Sequence, residues 1–558
     1  MDLLSIFTMI GGLALFLYGM HLLGEGLAKV SGGKMEAILS KLTDSPLKGV
    51  LLGAGATAVI QSSSATTVMV VGFVNSGIMQ LRQAVGIIMG ANIGTTITSW
   101  ILSLSGIESD NLFVKLLKPD AFSPILAMIG IILLMFCKSE RKKDVGTILI
   151  GFAILMFGMD TMSSAVEPLK NIPAFTDLFV AFSNPIVGMI AGTILTAIIQ
   201  SSSASVGILQ ALCITGAIPY SAVLPIIAGQ NIGTCITALL SSIGASTNAK
   251  RAAFIHLYFN VIGTAVFMIG FYIIHYISPF DFLEQIATPS GIAVTHSFFN
   301  IFATIILLPF SYKLVTLASI SVRDKEENIE PELPAKLAPL ANMDKRFLDN
   351  PPFALTQCKK TTGAMLALAN ESAEEAIALI SNYSGKKASY VEELENYVDC
   401  YEDEINDYIF KIDLAPLSEA DSRELSAMQN CVGNIERVAD YALSIVLSAK
   451  KMEKKKLDFS KEAKEDLKLY GSIVLSLIKH TAEYWESPDP VTANDACQLE
   501  NELNRIEKRI IKGEKKRLKK DKYGIDMGFI LSDILLGMKK VTEHSVQVIE
   551  AVQSVQSE

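Results

Sequence analysis

The sequence predicts an all-α chain in two parts: a polytopic membrane protein with inverted repeats and two re-entrant hairpins, then a soluble antiparallel helical bundle. Three observations predict it. Charge divides the 558 residues near position 320, since residues 1–320 carry 15 Lys or Arg and 14 Asp or Glu, whereas residues 321–558 carry 33 and 43. The net charge of -9 thus belongs to the second part, and the sparsely charged first part reads as membrane-embedded. A polar tract in an apolar stretch, Gln61-Ser62-Ser63-Ser64, recurs 139 positions later as Gln200-Ser201-Ser202-Ser203. After about residue 353, apolar residues recur at three- and four-residue spacing without strand signals.

The offset of 139 holds without a gap around both tracts. Gly12, Gly19 and Met20 match Gly151, Gly158 and Met159, and Pro46, Gly49, Gly53 and Thr57 match Pro185, Gly188, Gly192 and Thr196. Gly90, Asn92-Ile93-Gly94-Thr95 and Thr98 recur as Gly229, Asn231-Ile232-Gly233-Thr234 and Thr237. The shared residues are mostly Gly, Pro, Asn, Ser and Thr, which shape backbone and supply polar atoms, so the two halves share the apparatus of a site.

Apolar segments long enough to cross a bilayer fall near residues 4–27, 82–104, 121–137, 146–165, 221–243, 252–277 and 291–318, which predicts seven crossings. The first is expected to be retained, because it lacks a basic leader and a small-residue cleavage site. The two serine segments, 46–79 and 185–218, differ from these. Each arm beside the serines has about 15 residues and reaches about 22 Å, short of a hydrocarbon core of about 30 Å. Re-entrant hairpins fit that length. Lys29, Lys34, Lys41 and Lys48, then Lys138, Arg141, Lys142 and Lys143, then Lys250 and Arg251 fall on one side if the N-terminus is outside and the second part cytoplasmic. Repeat one then spans about 4–137, repeat two about 146–277 in the opposite orientation, and an extra helix about 291–318, within a membrane domain of 1–320. This is the plan of secondary transporters, whose sites form where broken helices meet near the midplane.

Charge is nearly absent inside these segments, where Arg82, Asp160 and Lys250 sit at ends. A basic anion pore or a carboxylate proton relay would need charges deep in the segments. Hydroxyls, amides and glycine-broken backbone are present instead. Helix arms starting after each serine tract offer free N–H groups to an oxyanion, and Thr or Asn oxygens offer ligands to a small hard cation such as sodium. A neutral site holding both has a physical logic: the cation supplies the charge that the anion needs. Seven scattered cysteines lack paired metal-ligand spacing and read as reduced and structural. His21, His256, His275 and His296 lie at ends or faces of apolar segments and read as packing or interfacial groups.

The paired motifs QSSSATT with GANIGTT, and QSSSAS with GQNIGT, resemble the signature of the sodium-dependent phosphate cotransporter family, over about residues 1–315. The resemblance implies inorganic phosphate at Gln61, Ser62, Ser63, Ser64, Gln200, Ser201, Ser202 and Ser203. It implies sodium at Thr66, Asn92, Thr95, Ser205, Asn231 and Thr234. The second copy departs where Thr67 becomes Val206 and Thr96 becomes Cys235, which makes the halves chemically unequal. The implied setting is the plasma (inner) membrane of a prokaryote. Export by the same fold and phosphate sensing without turnover are the alternatives; an intramembrane serine hydrolase is discouraged, since no His or Lys is placed to activate a serine.

Residues 321–352 are rich in Pro, Glu, Lys and Asp and read as a linker. Helices are expected at 353–381, 386–412, 418–451, 459–486, 491–520 and 525–556, in two sets of three. Asn434-Ile435-Glu436-Arg437-Val438-Ala439-Asp440 resembles the NxERxxD motif of PhoU-like domains, which implies a regulatory domain over 353–556. In that family facing carboxylate pairs hold divalent or iron metal. Asp399 with Asp403, and Glu436 with Asp440, have the i, i+4 spacing that places two carboxylates on one helix face, where they repel unless a cation lies between them. In the second set Lys539 and Glu543 align with Glu436 and Asp440. Expected partners are phosphate, sodium, membrane lipids, and a cytoplasmic signalling partner or a homodimer; no basic stripe suggests nucleic acid.

Overall fold

A computed structural model describes residues 3–31, 45–106, 118–168, 177, 180–323, 334–415, 417–519 and 525–556. They fall into two compact units, residues 1–330 with 344–353, and residues 331–343 with 354–558. The stretch 321–352 is therefore divided between the units, with residues 324–333 outside the described residues.

The first unit contains α1 Leu3–Ser31, α2 Pro46–Ile60, α3 Ser63–Asn75, α4 Leu81–Ser103, α5 Pro119–Phe136, α6 Glu140–Val166, α7 Pro185–Ile199, α8 Ser202–Cys213, α9 Tyr220–Gly233, α10 Cys235–Ser241, α11 Thr247–Ile277, α12 Pro289–Leu307 and α13 Ser311–Ser321. Among the described residues, six stretches are long and apolar enough to span: Leu4–Val30, Leu81–Gly106, Glu140–Val166, Tyr220–Ser241, Thr247–Ile277 and Pro289–Ser321. The seventh expected crossing, at 121–137, forms α5. Its 18 residues begin at Pro119, contain Pro124 and stop at Cys137, which puts it at the short end of the spanning range. Large apolar side chains such as Ile125, Met135 and Phe136 on α5, Ile198 on α7 and Tyr276 on α11 are exposed, as lipid contact requires.

Glycines let backbones of matching helices touch. A side chain on Gly19 would run into the backbone of Leu155 and Gly151, and one on Gly158 into the backbone of Phe16 and Gly12. Gly158 is the copy of Gly19 and Leu155 the copy of Phe16, so α1 and α6 meet reciprocally, in the manner of two antiparallel helices about a twofold axis. The serine segments obey the same rule. A side chain on Gly53 would strike the Ile87 carbonyl, and one on its copy Gly192 the Ile226 carbonyl, so α2 lies on α4 as α7 lies on α9.

Residues 344–353 dock at the end of α3. Phe347 is fully buried between Phe73 and Phe353, with ring centroids 5.4 and 4.9 Å away. A side chain on Gly72 would overlap the Phe347 ring. Asn75 donates to the Asp344 carboxylate and accepts from the Ser246 N–H at 2.8 Å. Arg346 closes the contact by pairing with Asp344 at 2.7 Å and donating to the Ser241 carbonyl at 2.8 Å.

The second unit is an antiparallel bundle of α14 Pro351–Ser381, α15 Gly385–Ile409, α16 Glu419–Lys454, α17 Lys461–Glu486, α18 Pro490–Lys519 and α19 Ile525–Gln556, close to the expected bounds. Residues 335–342 cap one side: the Lys336 ammonium meets Glu371 at 2.5 Å, and its carbonyl accepts from Tyr401 at 2.7 Å. Phe347→Ala removes a fully buried ring of the docked segment, and the first unit is expected to lose about 3–5 kcal/mol. Thermal unfolding in detergent, with the exposed Phe410→Ala as control, measures it; equal midpoints would mean that the docking adds no stability.

Candidate functional site

The two serine segments break in the same way. Arm α2 ends at Gln61 with φ 57°, and arm α7 ends at Gln200 with φ 58°. Among the described residues only Lys456 shares this left-handed conformation without being glycine. Such a conformation costs about 1–2 kcal/mol for an L-residue and persists where its surroundings fix it. The N–H of each glutamine caps its arm, on the Thr57 and Thr196 carbonyls at 2.8 and 2.7 Å.

The chain then turns directly into a second helix. Ser62 caps α3 by accepting from the Ala65 N–H at 3.1 Å, and Ser201 caps α8 by accepting from Ala204 at 3.2 Å. Each cap hydroxyl keeps its proton as a donor. The first N–H groups of α3 and α8, at Ser63 and Ser64 and at Ser202 and Ser203, have no carbonyl one turn back to bond. Two positive helix ends with hydroxyls beside them have the chemistry that suits an oxyanion. The tips also meet: the Ser64 hydroxyl donates to the Gln200 carbonyl at 3.4 Å. The Gln61 side chain turns away, donating to the Ala58 carbonyl and accepting from Thr98 at 2.8 Å.

Thr66, Asn92, Thr95, Ser205, Asn231 and Thr234 are all buried. Thr57 donates to Thr66 at 3.0 Å, and the copies Thr196 and Ser205 bond at 2.8 Å. Asn92 and Asn231 each give their amide hydrogen to the carbonyl one turn earlier, at 2.9 Å, which leaves each Oδ1 for another partner. Thr95 and Thr234 bond to the Ala91 and Gln230 carbonyls. Thr57 and Thr196 are members that spacing alone did not single out, and their match at the 139 offset was the available signal.

Symmetry then fails at chosen places. Thr96 bonds within its own helix to the Ile93 carbonyl at 2.7 Å, whereas Cys235 contacts the His256 carbonyl and accepts from Asn260 at 3.3 Å. The copy of α4 is also interrupted at Thr234, between α9 and α10. Buried Gln230 stands where the first copy has Ala91 and donates to the Ser205 carbonyl at 3.1 Å. Buried Gln210 stands where the first has Val71 and ties α8 to Ser99 and to the Pro289 carbonyl at 3.0 Å.

In the second unit, α15 and α16 bring carboxylates together. Oxygens of Glu395, Asp399 and Asp440 lie within 4.8 Å of one another, a set that fits a hard cation. Asp399 and Asp440 were expected there; Glu395 has the same i, i+4 spacing to Asp399 and was missed, because spacing on one helix does not tell which carboxylate meets Asp440 on the next. Asp403 and Glu436 border the group rather than join it. Burial and the neighbouring Asp440 push Glu436 up to about 7, and burial with Asp440 and Asp403 raises Asp399. Asn434 faces α19 instead, accepting from His544 at 2.9 Å. At the corresponding place in the second set, Lys539 pairs with Glu507 at 3.0 Å, so an ammonium occupies the position of a carboxylate.

Residues 15–164 and 173–278 match the Na+/Pi-cotransporter family, with one broken helix and its serine tip in each matched stretch. The chain belongs to the Na+/Pi-cotransporter family. Residues 363–449, which carry the acidic group, match the PhoU domain. Among similar proteins is the "Uncharacterized protein YqeW" of Bacillus subtilis, 31% identical over 313 residues, 54% of this chain and 94% of that one. The "Putative inorganic phosphate export protein YjbB" of Escherichia coli K12 is 24% identical over 441 residues, 78% of this chain and 77% of its own. Human sodium-dependent phosphate transport protein 2B is 28% identical over 190 residues, 33% of this chain and 27% of its own. No solved structure matches significantly. Membership places this chain in a family of phosphate transporters, with a PhoU domain attached.

The raised Glu436 gives a pH prediction. Its folded carboxyl binds a proton more tightly than the unfolded one, so its contribution to stability falls as pH rises from about 4.5 to about 7. In metal-free buffer the PhoU-bearing region should melt lower at pH 8 than at pH 5.5. Glu436→Gln should flatten that difference, and a divalent cation at pH 8 should reduce it in the parent. A pH profile unchanged by Glu436→Gln would contradict the assignment.

Proposed function

We propose that this protein couples sodium to the transport of inorganic phosphate, with phosphate held between the two serine tips and sodium at the oxygens beneath them. The observation that carries the reading is the pair of matching helix ends, capped by Ser62 and Ser201 and bridged by Ser64 and Gln200. Phosphate binds to Ser62, Ser63, Ser64, Ser201, Ser202 and Ser203 through N–H and hydroxyl donors, with Gln61 and Gln200 setting the turns. Sodium binds among Thr66, Asn92, Thr95, Ser205, Asn231 and Thr234. No lysine or arginine lies in the tips, so sodium supplies the positive charge, and each ion favours the other's binding.

The reciprocal contacts of α1 with α6 support an inverted repeat, and the 15-residue arms α2 and α7 support re-entrant hairpins that enter from opposite sides. The part bearing the hairpins moves against the rest to alternate access. We assign residues 1–320 to transport in a prokaryotic plasma membrane, N-terminus outside. Residues 353–556 form the cytoplasmic PhoU-like regulator, whose cation sits at Glu395, Asp399 and Asp440. Export is the second reading of direction, favoured by the similarity to YjbB over 78% of this chain.

Uptake of labelled phosphate into proteoliposomes is expected to collapse when choline replaces sodium, and unchanged uptake would sink the coupling. Reversing the sodium gradient separates import from export. Ser62→Ala with Ser201→Ala removes two donors and should weaken phosphate binding on the order of 100-fold. Full affinity in the double variant would remove the tips from the site.

A further inference from the structure

Residues 256–264 and 296–304 both read His-x-x-Phe-Asn-x-x-x-Thr, 40 positions apart, a duplication separate from the 139-residue repeat. One copy lies on α11 and the other on α12, and its His, Phe, Asn and Thr side chains are buried in both. The helices cross where the copies match, since a side chain on Gly263 would touch Ala303 Cβ at 3.1 Å. Phe267 packs on Phe299 at 5.1 Å between centroids, so the two helices run antiparallel and the two stripes lie on either side of the crossing.

Six side-chain atoms of these copies are buried without a hydrogen-bond partner among the described residues: both His256 nitrogens, Asn260 Oδ1, His296 Nδ1, Asn300 Oδ1 and Thr304 Oγ1. Inside an apolar unit each needs protein, water or a ligand. Their chemistry selects the ligand. Asn260 and Asn300 each donate an amide hydrogen to the His256 and His296 carbonyls at 3.0 and 2.9 Å, and Asn260 gives its second to Cys235 at 3.3 Å, while both carboxamide oxygens stand unpartnered. Asn434 donates one turn back in the same way, but its oxygen meets His544. An anion would be repelled by the Asn300 carboxamide oxygen, which can only accept, and a divalent ion recruits carboxylates, which these stripes lack. Oxygen acceptors without charge suit a monovalent hard cation. Asn300 and Thr304, four apart on one helix face, stand about 6 Å apart at Cβ, a gap that a small cation can bridge. Asn92 with Thr95, and Asn231 with Thr234, present the same residue types.

We propose that the Asn300–Thr304 stripe of α12 binds sodium at a site outside the hairpin tips, completed by water. The proposal rests on the sodium coupling argued above. The test is Thr304→Val in the purified full chain, with sodium titrated against choline in the absence of phosphate. Valine keeps the shape and deletes the unpaired hydroxyl. If that hydroxyl only packs, its loss is neutral or stabilising and sodium affinity is unchanged. If it is a ligand, the sodium Kd rises on the order of tenfold while melting in choline is not lowered. Asn300→Asp gives a second reading: it is expected to melt lower than the parent in choline and to recover in sodium. Parental sodium affinity in Thr304→Val, with no sodium-specific recovery in Asn300→Asp, overturns the site. Sodium coupling itself fails differently, in a parent chain that binds no sodium or takes up phosphate equally well in choline.

Discussion

A helix broken inside an apolar unit must satisfy its freed backbone groups from within the protein, and the rest of this structure follows from that constraint. At Gln61 and Gln200 the break is made twice. A left-handed glutamine closes one arm, a serine caps the next, and the Ser64 hydroxyl reaches the Gln200 carbonyl of the other break. Such breaks are tolerable only if each arm is supported along its length. Gly53 and Gly192 provide that by letting α2 and α7 lie directly on the carbonyls of α4 and α9.

The two halves share shape and differ in surroundings. Thr57–Thr66 and Thr196–Ser205 are equivalent, but Gln230 bonds to the Ser205 carbonyl where the first copy has Ala91, and Cys235 joins α10 to Asn260 of α11 where Thr96 stays within its own helix. The outer ends differ as well. Asn75 holds Asp344 and the docked segment around Phe347, whereas its copy Ile214 is exposed. One hairpin is thereby anchored to the segment that leads into the PhoU-bearing bundle, and the other has no such tie through that position. The bundle shows the same divergence of duplicated halves, with clustered carboxylates in the first set and a Lys539–Glu507 ion pair in the second.

The sequence by itself determined the helical class, the two regimes of charge, the gapless repeat and the six-helix bundle, because each is written in local pattern: charge density, apolar period and fixed offset. It also named the serines of the two breaks and the Thr66 and Ser205 that bond to Thr57 and Thr196, since polar residues in apolar segments are conspicuous. What it could not give was which polar atoms find each other. That Gln61 turns away to Ala58 and Thr98, that Gln230 reaches Ser205, that Glu395 rather than Asp403 joins Asp399 and Asp440, and that residues 344–353 belong to the first unit are all outcomes of long-range packing. Spacing along one helix fixes which side chains share a face. Only the tertiary structure decides what that face meets, because the partner comes from a helix whose place is set by close contacts elsewhere in the chain.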